Sequence, residues 1–153
     1  MKTICLLLLL SSLVLAEKLE ITADRFVATD ADKKVSFKGH AHISQGSTKI
    51  DAKQIVVYFD DDNSTKSYKA IGAVKFYIKK GNANYSGGCK SIIYLPKKGT
   101  YQLRGNVRIK DKTNKRDISG EKIYINTKTG AFSIEGGKSR PAKLVFDMNK
   151  GNK

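Results

Sequence analysis

A chain of 153 residues carrying 29 Lys and Arg against 14 Asp and Glu, net charge +15, has room for one packed domain and little more. Such a basic surplus calls for an anionic partner, and two cysteines with two histidines leave scant material for a disulfide framework, a metal cluster or histidine-based catalysis.

Lys2 opens a start whose apolar residues, 4–10 and 13–15, end in Val14-Leu15-Ala16, a small-x-small pattern. Residues 1–16 read as a secretory signal peptide cut after Ala16. The apolar segment is about a dozen residues, short of the ~20 that span a bilayer as a helix. Cys5 lies inside it, too early to accept a lipid beside the cut. The exported part, from Glu17 on, then keeps Cys89 alone and has no intramolecular disulfide. Export also turns the positive charge away from nucleic acid and toward phosphorylated lipid, acidic glycan or a membrane surface.

From residue 18 onward apolar residues alternate with polar ones over five to eight positions, the period of half-buried strands. Taken along the chain, the predicted strands are 18–23, 25–29, 33–38, 40–45, 48–51, 54–60, 66–70, 73–79, 82–86, 90–95, 100–104, 106–110, 116–119, 122–126, 131–135 and 142–147. Turns are marked by "DADK" (30–33), "DDDN" (60–63), "KKGN" (79–82), "PKKG" (96–99), "KTNK" (112–115) and "TKTG" (127–130). Asn82, Asn114 and Gly130 suit turn positions with positive φ. Pro96 and Pro141 fall at strand ends, where a missing backbone donor does little harm. The pattern repeats: Gly39, Gly72 and Gly105 stand 33 residues apart, with Gly137 after a further 32, and each of the first three opens a strand such as "GAVKFYIKK". Ile71, Leu103 and Ile134 are expected on one wall, Ile71 slightly out of phase.

A single hairpin cannot hide an apolar face, so repeated hairpins must share an interior. Strands folding over into two facing walls, as in a jelly roll, would cover it. A closed up-and-down barrel is the alternative, and a regular repeat favours an open stack because nothing in a repeat instructs closure. The inward positions are Val35, Phe37, Ile43, Ile50, Ile55, Val57, Phe59, Val74, Phe76, Ile78, Tyr85, Ile92, Tyr94, Leu103, Val107, Ile109, Ile118, Ile123, Ile125, Phe132, Ile134, Leu144 and Phe146. An open stack has unpaired edges, which invite end-to-end pairing with a like domain. Residues 17–147 form the expected domain, and 148–153 a flexible tail.

No catalytic constellation appears, and an enzyme is not expected. His40 and His42 read as outward imidazoles lacking a third metal ligand. Asp60, Asp61 and Asp62 lack the spacing and closing Glu of a calcium loop and read as a hairpin tip. Gly87-Gly88 is followed by Cys89-Lys90-Ser91 but lacks the Gly-x4-Gly-Lys-Ser spacing of a phosphate loop and reads as a bulge or tight turn, and Cys89 is a lone thiol near a turn. No cofactor or metal is expected. Basic residues cluster in the second half, and with an apolar interior they suggest an amphiphilic polyanion: acyl chains inside, phosphates at a basic rim. Lys79, Lys80, Arg108 and Lys110 are the rim candidates.

The stretch "EKLEITADRFVATDADKKVSFKGHAHISQGSTKIDAKQIVVYF" (17–59), followed by "YKAIGAVKFYI", "YQLRGNVRIKD" and "DISGEKIYINTKTGAFSIEGG", resembles the LptA/OstA family of lipopolysaccharide-transport proteins over about residues 18–146. That resemblance implies an all-β, elongated, twisted β-jelly roll (OstA-like) in the periplasm. It implies a head-to-tail homo-oligomer bridging an LptC-like inner-membrane anchor of an ABC-transporter complex and an LptD-like outer-membrane insertion protein. Lipopolysaccharide acyl chains would lie in an apolar groove. Family ligand positions on inward faces map by alternation to Ile50, Ile55, Val57, Phe76, Ile78, Ile92, Leu103, Val107, Ile109, Ile123 and Ile125. The doubled glycine with Cys89 departs from the family and puts local register in question. The rivals are a membrane-anchored bridge component of the same pathway and an exported glycan-binding or structural β protein without a lipid path.

Overall fold

A computed structural model of the chain describes residues 18–80 and 83–146; the predicted signal peptide, Asn82 and the predicted tail lie outside the described residues. Where sixteen short strands are expected, ten are found among the described residues. They are β1 (Leu19–Thr22), β2 (Arg25–Thr29), β3 (Lys34–Gln45), β4 (Thr48–Phe59), β5 (Thr65–Lys80), β6 (Ala83–Leu95), β7 (Thr100–Asp111), β8 (Arg116–Asn126), β9 (Phe132–Glu135) and β10 (Lys143–Phe146). All pairings are antiparallel, in the order β1-β3-β4-β5-β6-β7-β8-β10, with β2 also on β3 and β9 also on β8.

The missing breaks are β-bulges. Register shifts fall between Lys38 and Ala41, Asp51 and Gln54, Ile71 and Val74, Gly88 and Ser91, and Arg104 and Val107. A bulge inserts a residue, bends the strand and leaves both halves paired, so a local reading takes one bent strand for two. Lined up across the sheet, these bulges crease it into two walls. Wall I holds β2, β9 and residues 34–38, 54–59, 65–71, 91–95, 100–104 and 122–126. Wall II holds β1, β10 and residues 41–45, 48–51, 74–80, 83–88, 107–111 and 116–120. The sheet stays open: β1 and β2 form one edge, β9 and β10 the other. The jelly roll is therefore the correct reading, and the closed barrel is not.

The recurrent glycines make the crease. Gly39, Gly72 and Gly105 take φ of 84°, 92° and 86°, and the next residues, His40, Ala73 and Asn106, also lie at positive φ. A Cβ on Gly105 would come within 2.6 Å of the Lys90 side chain, and one on Gly72 within 2.9 Å of Lys53. Glycine is required there by both torsion and space. Gly137 does not repeat this geometry; it follows β9, without a positive φ. The turn expectation for Asn114 also shifts: Lys115 takes the positive φ, while Asn114 donates from its backbone N–H and its Nδ2 to the Asp111 carboxylate.

Beside the crease the interior is closed by small or β-branched residues: Ala41, Ala52, Val74, Cys89, Val107 and Gly120, paired Ala41↔Ala52, Val74↔Cys89 and Val107↔Gly120. Small side chains let the two walls converge. One step out on wall I runs the row Phe26, Phe37, Ile55, Ala70, Ile92, Leu103, Ile123 and Ile134, each opposite the next. Ile55 is 0% exposed and Ile123 1%. Ile71, expected in this row, lies on the opposite face opposite Ser91, because the bulge after it resets the alternation and Ala70 points inward. Gly87 and Gly88 keep the register, pairing with Phe76 and Lys75; a Cβ on Gly87 would overlap the Arg108 carbonyl.

Candidate apolar groove

Away from the crease the walls diverge, and their inner faces line a groove. On wall I the outermost inward row is Val35, Val57, Tyr68, Tyr94, Tyr101, Ile125 and Phe132. Tyr68 and Tyr94 stack at 5.9 Å and Tyr94 and Tyr101 at 4.3 Å between ring centroids, so the tyrosines tile the wall as a flat strip. Burial pushes the Tyr101 phenol up to about 12, with Tyr94 adding to the effect, and burial also raises Tyr94. Tyr94 and Tyr101 therefore stay uncharged at ordinary pH. On wall II the facing rows hold Ile43, Ile50, Phe76, Ile109 and Ile118, then Thr48, Ile78, Tyr85, Asp111 and Arg116.

Three cavities lie in series along this groove. The first, about 520 Å³, runs from Leu19, Ile43 and Ile50 past Ile55 and Tyr68 to Ile92, Tyr94 and Tyr101. The second, about 370 Å³, shares Ile92, Tyr94 and Tyr101 with it and adds Phe76, Ile78, Tyr85, Leu103, Ile109 and Ile125. A third, only about 70 Å³, shares Tyr85, Ile109 and Ile125 with the second and ends at Arg116, Ile118, Ile123 and Phe132. The shared residues make the cavities one path, wide toward β1 and narrow toward β9 and β10. Turns along wall I are tied together: Lys97 Nζ donates to Asp60 Oδ2 at 2.8 Å, Lys128 Nζ to the Lys97 carbonyl at 2.7 Å, and Thr127 Oγ1 to the Gly99 carbonyl at 2.8 Å.

Of the expected groove residues, Ile50, Ile55, Phe76, Ile78, Ile92, Leu103, Ile109, Ile123 and Ile125 line these cavities. Val57 and Val107 are packed in the core. The strip residues Tyr68 and Tyr101 escaped the sequence reading. Their signal is the shared phase of "SYKAI" and "TYQLR" one residue short of a charged or polar outward position. The basic candidates are placed otherwise. Lys79, Arg108 and Lys110 are exposed on the outer face of wall II, alternating with inward Ile78, Val107 and Ile109, while the Lys80 side chain lies outside the described residues.

The remaining polar groups find local duties. His40 Nδ1 lies 2.8 Å from Asp24, whose hydrogen bond and charge raise the imidazole pKa, and His42 pairs with Asp51 at 2.5 Å. No metal-ligating cluster occurs among the described residues. Asp62 accepts from Ser64 Oγ at 2.7 Å, which holds its carboxyl below the usual range. Cys89 is buried, its Sγ 3.3 Å from the Ser91 carbonyl, and burial pushes its thiol up to about 12. Asp111 is 1% exposed. Burial pushes it up, but bonds from Asn114 and from Arg116 Nε, at 2.8 Å, win and hold it below the usual carboxylate range. Arg116 also lies over the Phe132 ring, 5.2 Å from its centroid, which joins the walls at the narrow end.

A family model described as LptA/(LptD N-terminal domain) LPS transport protein matches residues 20–131. Among solved structures, the chain is similar to LptH, the LptA homologous periplasmic component of the lipopolysaccharide transport device from Pseudomonas aeruginosa. The TM-score is 0.73 at 16% identity, covering 86% of this chain and 96% of that one. No curated protein matches it in sequence.

Proposed function

This chain belongs to the family of LptA and LptD N-terminal-domain LPS transport proteins, and from that premise we propose that it is a periplasmic carrier that shelters lipopolysaccharide acyl chains between its two walls. The observation that carries this reading is the run of linked cavities lined by Ile, Phe and Tyr from both walls. Each methylene moved from water into that lining contributes ~0.8 kcal/mol, so several acyl chains bind chiefly through the interior. The family is one of transport proteins rather than enzymes. Movement of the cargo draws its energy from elsewhere, from an LptC-like anchor and its ABC transporter at one end, toward an LptD-like acceptor at the other.

End-to-end assembly belongs to the same proposal. Among the described residues, β1 and β2 at one edge and β9 and β10 at the other each pair on one side only, and both edges expose apolar side chains, Phe26 and Val27 against Val145 and Phe146. Unpaired edges with such side chains are suited to strand addition, and stacking copies would extend the groove.

The test is photocrosslinking in cells from a probe placed at Ile78 or Tyr101, with Lys75 on the outer face as control. Lipopolysaccharide adducts from the two inward sites and none from the outward one are expected. Equal labelling from all three, or from none, would defeat the carrier reading.

A further inference from the structure

At its narrow end the groove meets a second, very different cavity, and Arg116 lines both. On the apolar side are Phe132, Ile123 and Ile125, in about 70 Å³. On the other, at the β7–β8 turn, a cup of about 370 Å³ is lined by Lys110, Lys112, Lys115 and Arg116, with Asp111, Asp117 and the β10 residues Val145 and Phe146. Asp111 is spent on Arg116 and Asn114. Among the described residues the three lysines have no ion-pair partner, and neither does Asp117. The cup therefore holds a clear positive surplus.

Arg116 is built into place rather than left to wander. Its Nε donates to the buried Asp111, its plane lies over Phe132, and its side chain is 20% exposed. Of the five N–H donors of a guanidinium, only the Nε one has an acceptor among the described residues. The Nη donors remain for a ligand, in the planar fork that suits phosphate oxygens.

We propose that this cup is a head-group seat: it takes the phosphate of an amphiphile whose chain enters the groove past Phe132. The inference rests on the carrier reading and adds to it a recognition site for the charged end of the cargo. It also assigns Arg116 a double position, at the boundary where the ligand changes from apolar to anionic. The basic surplus of the chain thereby acquires one definite address, to which Lys110 of the outer face contributes.

The experiment measures displacement of the neutral reporter N-phenylnaphthylamine from the full chain by dodecyl phosphate and by dodecyl maltoside, both below micelle-forming concentrations. The two carry the same chain on charged and uncharged heads. Dodecyl phosphate is expected to bind about tenfold more tightly, the worth of one good charge-assisted contact. That preference should collapse in Arg116→Gln and also in Lys112→Ala/Lys115→Ala, whose side chains are exposed and have no ion pair among the described residues. Equal affinity for the two heads in the unaltered protein, or a preference retained in the lysine double variant, overturns the seat while leaving the groove intact. Failure of both amphiphiles to displace the reporter overturns the groove itself. Inorganic phosphate should bind far more weakly than dodecyl phosphate; equal binding would make the cup a free-anion site and refute its role for a lipid head.

Discussion

The inner face of the folded sheet divides into two regions that share strands but not rules. Beside the crease, Ile55, Leu103, Ile123, Val74 and Val107 are closed off from solvent in one packed cluster. Toward the mouth, Ile78, Tyr85, Tyr94, Tyr101 and Ile125 are half-buried and line open cavities. Both regions are apolar, and sequence alternation gives them the same status. What separates them is distance from the bulges: near the crease the walls meet and their side chains are core, farther out they part and theirs become lining. The groove is thus the unfilled remainder of a core.

The mouth region contains one exception, and it gives the largest expected effect. Asp111 sits in a mouth row yet is buried, so its loss should hurt as a core defect does. Removing one partner of a buried ion pair costs about 3–5 kcal/mol, and Asp111→Ala should lower the urea unfolding midpoint accordingly. The pH dependence has a fixed sign. The native carboxyl is held low, so its contribution is complete above the ordinary Asp value near ~4 and is lost as pH falls through the native one. Asp111→Ala should lack that share of the acid loss. An acid limb of unchanged depth would mean that other carboxylates carry it.

Ile123 and Ile125 are two residues apart on one strand and face the same way; both border the small third cavity, but Ile123 is 1% exposed and packed in the core cluster while Ile125 is half-buried. Ile123→Ala leaves a cavity in packed surroundings and should cost roughly 2–5 kcal/mol. Ile125→Ala, half-exposed in the groove, should cost roughly 1 kcal/mol in transfer alone. Chain binding should respond in the opposite order, with Ile125→Ala weakening dodecyl phosphate more than Ile123→Ala. Equal stability losses in the two variants would erase the distinction between core and lining.

The legibility of the molecule follows the same line. Alternation reports the local face of a strand, so the inward positions named on β3 to β8 pack in the core or line the groove, whereas Leu144 and Phe146 on the edge strand β10 stay exposed, and Ile71 fails because the bulge after it changes the phase. Bulges themselves escaped because they look like strand ends. A sharper reading was available. Ala23-Asp24-Arg25-Phe26, Ala52-Lys53-Gln54-Ile55, Cys89-Lys90-Ser91-Ile92 and Gly120-Glu121-Lys122-Ile123 are one motif: a small residue at the crease, a charged one outside, a polar one, then a large apolar one inside. The charged members Asp24, Lys53 and Lys90 lie over Gly39, Gly72 and Gly105. Of the proposed head-group cup only Lys110, a rim candidate, was legible; its shape was not, because it joins a turn to β10 across chain separations that no local period reports. Nor was Arg116, whose neighbours Asp111 and Phe132 reach it from different elements.

That motif explains Cys89 and yields the smallest predicted effect. The thiol occupies the crease position that Ala52 and Gly120 fill in the neighbouring copies, a place selected for small volume rather than for sulfur chemistry. Cys89→Ala should therefore cost only ~0.8 kcal/mol, the worth of one buried methylene-sized group. Because burial raises the native thiol to about 12, its contribution is complete below the ordinary thiol value near ~8.5 and declines as pH rises above it. The alkaline fall in stability should be shallower in Cys89→Ala. At neutral pH the folded protein should resist a thiol-alkylating reagent that labels the urea-unfolded chain readily. Fast labelling of the folded state would show that the crease opens under native conditions, and would move this part of the interior from core to groove.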